Sequence, residues 1–576
     1  MSKRVLSVLV FSLFLVCSVG ERCSAQSKPN VILVMTDDQG YGDLACYGNP
    51  FLKTPALDTL HAQSVRLTNY HVDPTCSPTR SALMTGRYST RTGVWHTIMG
   101  RSLLHPDEVT MADVFQANGY KTGIFGKWHL GDNYPCRPQD NGFGEVLVNG
   151  GGGVSQTPDY FGNDYFDDTY YHNGVSQKFK GYCTDVWFDN ALKFIEKNRE
   201  QPFFAYIPTN AAHGPFNVAE KYSKPYEDAG VPKRRAKFYG MIANIDENMA
   251  KLERKLQAWN LRENTIVIFT TDNGTAGGMI GKNGYNAGMR GIKGSEYDGG
   301  HRVPFFIRWP AGKIGGGKDV SHITAHIDVL PTLIDLCNLT EPKHPTYDGT
   351  SLKKLLQNPK AKWPNRTLLV HSQRIEKPRK GRKAAVMTDR WRMVITQGRR
   401  QLFDMQTDPG QKNDIADQHP VRFRELARAY DHWYQDISQR YNNYVRISLG
   451  SPYENPTRLT CHDWHEPVKG VPWNHTYIRR MLVTNGFWAV KIERAGRYQF
   501  TLRQRPAYIN FPIQGSEAKI KIGGIEAMSK IAEGAKSVSF KLDLKAGNAK
   551  LKTWLNENDK SRGAYFVDVK YLGKSS

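Results

Sequence analysis

The stretch Asn30-Val-Ile-Leu-Val-Met-Thr-Asp37-Asp38-Gln39-Gly40 decides the fold. Its apolar run, Val31–Met35, is too short for a helix and is bounded by polar residues, so it reads as a strand buried on both faces. The pattern returns at Phe203–Ile207 and at Thr265–Phe269. Residues 240–258, which feed the third run, place apolar side chains at helical spacing. From Asn30 to about Pro310, short apolar runs alternate with amphipathic stretches. That alternation specifies an α/β fold, a mainly parallel sheet covered by helices.

Outward from this block the texture changes twice. Strand-like Ala384–Met387 and Trp391–Ile395 precede a helix around 420–437, giving a smaller antiparallel sheet with one packed helix. Later segments, 487–493, 497–503, 538–544 and 565–571, alternate with period two between Gly-containing turns and read as an antiparallel sandwich. The expected division is an α/β domain over 26–374, a small subdomain over 375–445 and a sandwich over 446–576.

The chain has 576 residues, 39% of them apolar, enough for a sizeable core and too many for a disordered chain. Residues 1–25 form an expected secretory signal: Lys3 and Arg4, an apolar run from Val5 to Val19, then Cys23-Ser-Ala25. The expected location is periplasmic or secreted, with no membrane span after cleavage. Without the leader the net charge changes from +23 to +21, which suits an anionic partner; export sets nucleic acid aside. Eight cysteines are too few for a disulfide scaffold. Six follow the leader; an oxidising compartment allows pairs among them, Cys136–Cys183 for one, and the sequence does not fix the pairing.

Two of the strands run straight into oxygen donors, Asp37-Asp38 and Asp272-Asn273. In open α/β sheets ligands bind beyond the carboxyl ends of strands, so these four side chains can converge on a hard cation such as Ca²⁺ or Mg²⁺. Their alternative role is to cap the following turns. Residues 75–86, Thr-Cys-Ser-Pro-Thr-Arg-Ser-Ala-Leu-Met-Thr-Gly, read as a helix with Pro78 in its first turn and Gly86 at its end. Cys76 then sits where the helix dipole favours an anion, with Arg80 one turn on. This is either an anion-handling nucleophile or a structural cysteine.

Cys76-Ser-Pro78-Thr-Arg80, continuing to Thr85-Gly86, resembles the signature of the type I sulfatases, alkaline-phosphatase-like enzymes whose cysteine becomes formylglycine. The resemblance extends to five further motifs in the family's order, from about residue 28 to 440. It implies that Asp37, Asp38, Asp272, Asn273 and the modified Cys76 hold one Ca²⁺. Within Gly126-Lys-Trp-His-Leu-Gly131, Lys127 and His129 match the second signature. His213 matches the active-site histidine, and Lys293 the lysine of a later block that touches sulfate. Leu402–Pro409 matches the mark of the smaller subdomain. A formylglycine-generating enzyme is then an implied partner during maturation.

In that family the hydrated aldehyde attacks sulfur with one hydroxyl, and the second, once deprotonated, expels sulfate. Arg80, Lys127 and Lys293 would offset charge, His129 assist the hydrate, and His213 or Lys293 protonate the leaving alcohol. The rival is a phosphonate monoester hydrolase or phosphodiesterase of the same superfamily, which resembles this chain at the nucleophile but has His where it has Asn273. A non-catalytic glycan-binding relative is the rival from another class.

For substrate, expected to be sulfated carbohydrate or an aryl sulfate, the candidate residues are His301, Arg302, His371, Gln373 and Arg374. The aromatic insertion 159–171 either stacks on sugars or packs onto the core. Residues 374–400 carry ten Lys/Arg against Glu376 and Asp389, either a surface for a polyanion or a solvated face. The sandwich either binds glycan or buttresses the catalytic domain.

Overall fold

The computed structural model describes residues 28–281 and 284–574; the expected leader lies outside them. Within the described residues a ten-stranded mixed sheet organises the α/β domain. We label the elements that build the site: β1 (Asn30–Thr36), α1 (Cys76–Thr85), β2 (Lys121–Lys127), β3 (Phe203–Pro208), α2 (Lys233–Ala258) and β4 (Thr265–Thr271). Side by side they run β4-β1-β3-β2, all parallel, with Glu145–Asn149 added next to β2. Antiparallel strands extend both edges, Phe305–Arg308 beside β4 and Thr169–His172 beyond Glu145–Asn149.

The period of two divides each strand between two cores. Val31, Leu33 and Met35 join Phe204, Tyr206, Ile266 and Ile268 on the face covered by α1 through Leu83 and Met84. Ile32 and Val34 join Ala205, Ile207, Val267 and Phe269 on the other, under Met241, Ile245, Met249 and Leu252 of α2. Both faces are therefore dry, which explains the unbroken apolar runs.

The small subdomain is a four-stranded antiparallel sheet whose first strand, Leu368–His371, begins before residue 375. Helix Pro420–Ile437 lays Leu426, Tyr430, Trp433 and Ile437 across Ala384, Val386, Met393 and Ile395. Beyond it, two further sheets pack over a shared core that includes Trp488, Phe500, Leu551 and Val567. One pair there is parallel, Ile447–Leu449 with Phe487–Ile492; the other pairs within these sheets are antiparallel. That core also takes in Leu103 and Cys136 from the α/β domain, so the sandwich is packed against it and not tethered.

A Cys136–Cys183 disulfide is absent, and all six described cysteines are free. Cys183 opens a helix on the α2 face of the large sheet, whereas Cys136 packs into the sandwich core with its thiol on Leu104 O. Different cores hold them apart. Among the described residues no helix is long and apolar enough to cross a membrane.

Trp488 is wholly buried, and its Nε1 donates to Thr460 O at 2.7 Å. Trp488→Ala is expected to cost the sandwich about 3–5 kcal/mol. The check is the unfolding midpoint in urea followed by tryptophan fluorescence; an unchanged midpoint would refute this packing role.

Candidate active site

The register of β1 with β4 creates the site. Thr36 lies opposite Thr271, so Asp37 and Asp272 leave the sheet as neighbours. Asp272 N donates to Thr36 O at 3.1 Å, and Asp38 N to Asp272 Oδ1 at 3.2 Å. Lys127 arrives at the end of β2 and His213 on the turn after β3, which is tied to Asp37 by reciprocal backbone bonds with Ala211 and Ala212. Cys76 enters from above as the first residue of α1, whose end is set by Gly86 at φ 68°.

Cys76 Sγ and carboxylate oxygens of Asp37 and Asp272 all lie within 4.8 Å of one another, and all three residues are buried. Three cations close around them. Arg80 places Nη2 2.7 Å from Asp272 Oδ2 and donates Nη1 to Lys127 O, Lys127 Nζ is 2.6 Å from Asp37 Oδ2, and Lys293 Nζ is 2.5 Å from Asp38 Oδ1. Burial, followed by the charge of Asp272, pushes Asp37 up to about 8 against the pull of Lys127. Asp38 goes the other way: burial would raise it, but Lys293 and His213 hold it well below the usual carboxylate range. Asn273 donates to Asp38 Oδ1 at 2.9 Å, which leaves its own Oδ1 buried and unpartnered, as is Asp37 Oδ1. Unsatisfied oxygens among crowded carboxylates are what a hard divalent cation would relieve. The donor set, three carboxylates and an amide oxygen, fits calcium.

His129 sits in the left-handed region at φ 63°, with Nε2 3.0 Å from Thr97 O. A carbonyl partner makes Nε2 the protonated nitrogen, so the buried, unpartnered Nδ1 is an acceptor. Burial, Lys127 and His462 keep this ring neutral, well below the ordinary histidine value. Its imidazole lies against Gly152, where an added Cβ would fall 2.1 Å from the ring. His213 donates Nδ1–H to Gly214 O at 2.6 Å and is pulled down to about 4 by burial and Lys293. The hydroxyl of Tyr165 lies 2.6 Å from His213 O and 3.0 Å from Asn210 O, fixing the turn that carries His213.

Four of the five substrate candidates are spent inside the protein. His301 is fully buried, with Nδ1 2.9 Å from His71 Nδ1, in a network that includes Asp298 and Arg392. Arg302 donates twice to Thr68 O and lies over the Tyr41 ring. His371 meets Thr90 Oγ1 through Nε2, and Gln373 accepts from Arg379 N, both with side chains out of solvent. Arg374 alone is exposed, without an ion pair among the described residues. Its Nη1 is 3.9 Å from where a Cβ on Gly294 would stand, beside Lys293.

The basic stretch 374–400 is largely neutralised. Lys377, Lys380, Lys383, Arg390, Arg392, Arg399 and Arg400 all have carboxylate partners. The aromatic insertion packs: Tyr160 stacks on Tyr508 at 4.2 Å, Phe161 on His475 at 4.6 Å, and Tyr165 and Tyr170 are buried. Sequence reasoning missed Thr97, whose contribution is a backbone carbonyl, and His462, which lies more than 300 residues from His129 in the chain. The Gly150–Gly153 run was the one visible signal for Gly152.

A family model described as Sulfatase matches residues 29–339, and one described as N-sulphoglucosamine sulphohydrolase, C-terminal, matches 293–431. An arylsulfatase of Hemicentrotus pulcherrimus is 32% identical over 357 residues, 57% of this chain and 62% of that protein. An ulvan-active sulfatase of Formosa agariphila is 28% identical over 430 residues, 69% of this chain and 78% of its own. The solved structure of Ps i-CgsB in complex with k-i-k-neocarrahexaose superposes with a TM-score of 0.65 at 27% identity, over 72% of this chain and 94% of that one. The chain thus spans somewhat under two thirds of the length of the first of these relatives. A mixed α/β sheet with a buried cysteine, carboxylate and cation cluster at its strand ends defines the class. This chain belongs to the sulfatase family.

Several buried histidines give an acid-stability prediction away from the carboxylate cluster. Burial holds His96 at about 3, His371 at about 4 and His475 at about 4, against 6.5 for the free group. The unfolded chain takes up these protons near pH 6.5 and the folded chain refuses them until about pH 4. Their stabilisation is complete above pH 6.5, declines as pH falls towards 4, and loses nothing more below about 3. Because buried carboxylates such as Asp43 and Glu454, raised to about 7, act in the opposite direction, the histidine share is read by difference: His475→Gln, which takes up no proton, should lose less melting temperature than wild type between pH 6.5 and 4, and a constant difference across that window would contradict it.

Proposed function

We propose that this chain is an exported sulfuric ester hydrolase that removes sulfate from sulfated carbohydrate, using formylglycine made from Cys76 by a formylglycine-generating enzyme and one calcium ion. The observation that carries the reading is the cage in which Cys76, at a helix N-terminus, faces Asp37 and Asp272 within 4.8 Å, with Arg80, Lys127 and Lys293 bonded to the surrounding carboxylates. The kinship to carbohydrate sulfatases supports the substrate class.

Asp37, Asp38, Asp272, Asn273 and the oxygen at position 76 would hold the ion, which supplies fixed positive charge against sulfate oxygens. The aldehyde made from Cys76 supplies, once hydrated, the nucleophile. The protein's own groups do the rest. Arg80, Lys127 and Lys293 converge positive charge on the sulfate position without reorganising. His129, neutral and with Nδ1 bare, accepts a proton from the group at position 76. His213 uses its only ring proton on Gly214 O, so Lys293, kept charged by Asp38 despite its burial, is the donor to the leaving oxygen. This division favours Lys293 over His213 as the acid. Arg374, the unpaired cation at the rim, is suited to a second anionic group on the sugar.

The test is sulfate release, measured by ion chromatography, from defined sulfated oligosaccharides and an aryl sulfate, with protein from a host containing the modifying enzyme. Peptide mass spectrometry should show formylglycine at position 76, and Cys76→Ala should abolish turnover. Unmodified Cys76 in active protein, or preference for a phosphonate monoester, would overturn the reading. Arg374→Ala is expected to raise KM on oligosaccharides about tenfold, roughly the 1.4 kcal/mol of one charged contact, while sparing the aryl sulfate. Equal loss on both substrates would refute its role.

A further inference from the structure

The sandwich lies beyond both family matches, which end at residues 339 and 431. Two of its segments nevertheless grip the two loops that hold His129.

The first is the turn Cys461–Asp463. His462 O accepts from Met99 N at 2.9 Å, and the His462 imidazole stands 6.3 Å, centroid to centroid, from that of His129. Its Nε2 is buried without a hydrogen-bond partner. Three residues after His462, His465 Nδ1 is 3.0 Å from Glu376 Oε1, a carboxylate that also takes Arg101 at 3.1 Å. The contact is tight enough that a Cβ on Gly100 would come within 2.4 Å of His465 Nε2. The loop so gripped, residues 96–101, carries the Thr97 carbonyl that binds His129.

The second is the strap Pro472–His475. Thr157 N donates to Trp473 O at 3.0 Å, Thr157 Oγ1 to Pro472 O, and His475 N to Ser155 O at 2.9 Å. This fastens the loop whose Gly152 lies against the His129 ring and is itself pinned by Gln156 Oε1 at 2.9 Å. His129 occupies the left-handed region, a conformation that persists only where the surroundings over-determine it.

We propose that the sandwich is a working part of the catalytic centre, with His462 the positioning residue that fixes the His129 ring between the Thr97 carbonyl and Gly152. The inference rests on the sulfatase reading of His129. The sandwich also meets the catalytic half elsewhere, through Glu454 on Asn133 and Tyr134 and Tyr508 on Phe161, but the two contacts described converge on one side chain. Without His462, space opens beside a ring that has a single hydrogen bond, and the ring turns away from the productive orientation.

The experiment compares full-length, formylglycine-containing wild type, His462→Ala and His462→Gln on a small aryl sulfate, with melting temperatures and crystal structures of each. His462→Ala is expected to lower kcat about tenfold with KM within about twofold, because misorientation of a proton acceptor affects the chemical step and not binding. His462→Gln, which refills the space, should recover most of that loss. In the His462→Ala crystal structure His129 should leave Thr97 O. The proposal is overturned if both variants keep wild-type kcat, if losses follow melting temperature without recovery in His462→Gln, or if His129 stays in place in the alanine variant. Should wild type release no sulfate at all, the functional reading fails, and the crystal structures still decide whether His462 positions His129.

Discussion

Three carboxylates are buried where β1 and β4 end, together with the cations Arg80 and Lys127 and the partly exposed Lys293, and the surrounding structure is arranged to keep them there. Removing a charge from water costs several kcal/mol unless a partner repays it. The in-register pairing of Thr36 with Thr271 brings Asp37 and Asp272 together whatever else the chain does. Arg80, Lys127 and Lys293 are the response to that crowding, and each comes from a different element. The α1 helix turns Cys76 and Arg80 toward the same spot, β2 ends on Lys127, and the loop after β4 returns Lys293. A site built this way cannot be displaced piecemeal, because moving any one ion leaves its partner buried and unpaired.

The same cost governs how the histidines are used. A neutral imidazole can be buried cheaply only if its single N–H finds an acceptor. His129 finds Thr97 O and His213 finds Gly214 O, so in both rings the protonated nitrogen is committed to a carbonyl and the other remains an acceptor. This tautomer assignment comes from backbone carbonyls and separates the two histidines from Lys293, the group with a proton to give. Under the proposed mechanism, the backbone around the site would thereby set which side chains act as bases and which as the acid.

The strands, the layer order and the site's charged residues were legible because each leaves a local mark. Apolar runs of fixed length ended in Asp-Asp and Asp-Asn, and a helix started at Cys76. What was not legible depends on direction and distance. His301, Arg302 and His371 follow the motifs, and the partners they meet, His71, Thr68 and Thr90, are set by contacts more than 200 residues apart in the chain. The Cys136–Cys183 pair failed because two cysteines in different cores cannot meet. Thr97 acts through a carbonyl that every residue possesses. His462 is brought beside His129 only by the packing of a separate sandwich, which no local pattern announces.

Net charge illustrates how far composition can mislead. The excess of lysine and arginine suggested a surface for a polyanion, and residues 374–400 were its densest part. Seven of the ten basic side chains there are bonded to carboxylates, Arg392 in full burial against Asp298. A paired cation contributes little field to an approaching anion, because its partner's opposite charge lies a few ångströms away. Arg374 escapes this cancellation, and its left-handed backbone at φ 41° directs it to the rim near Gly294. The overall excess of positive charge is therefore a poor guide to where an unpaired cation stands.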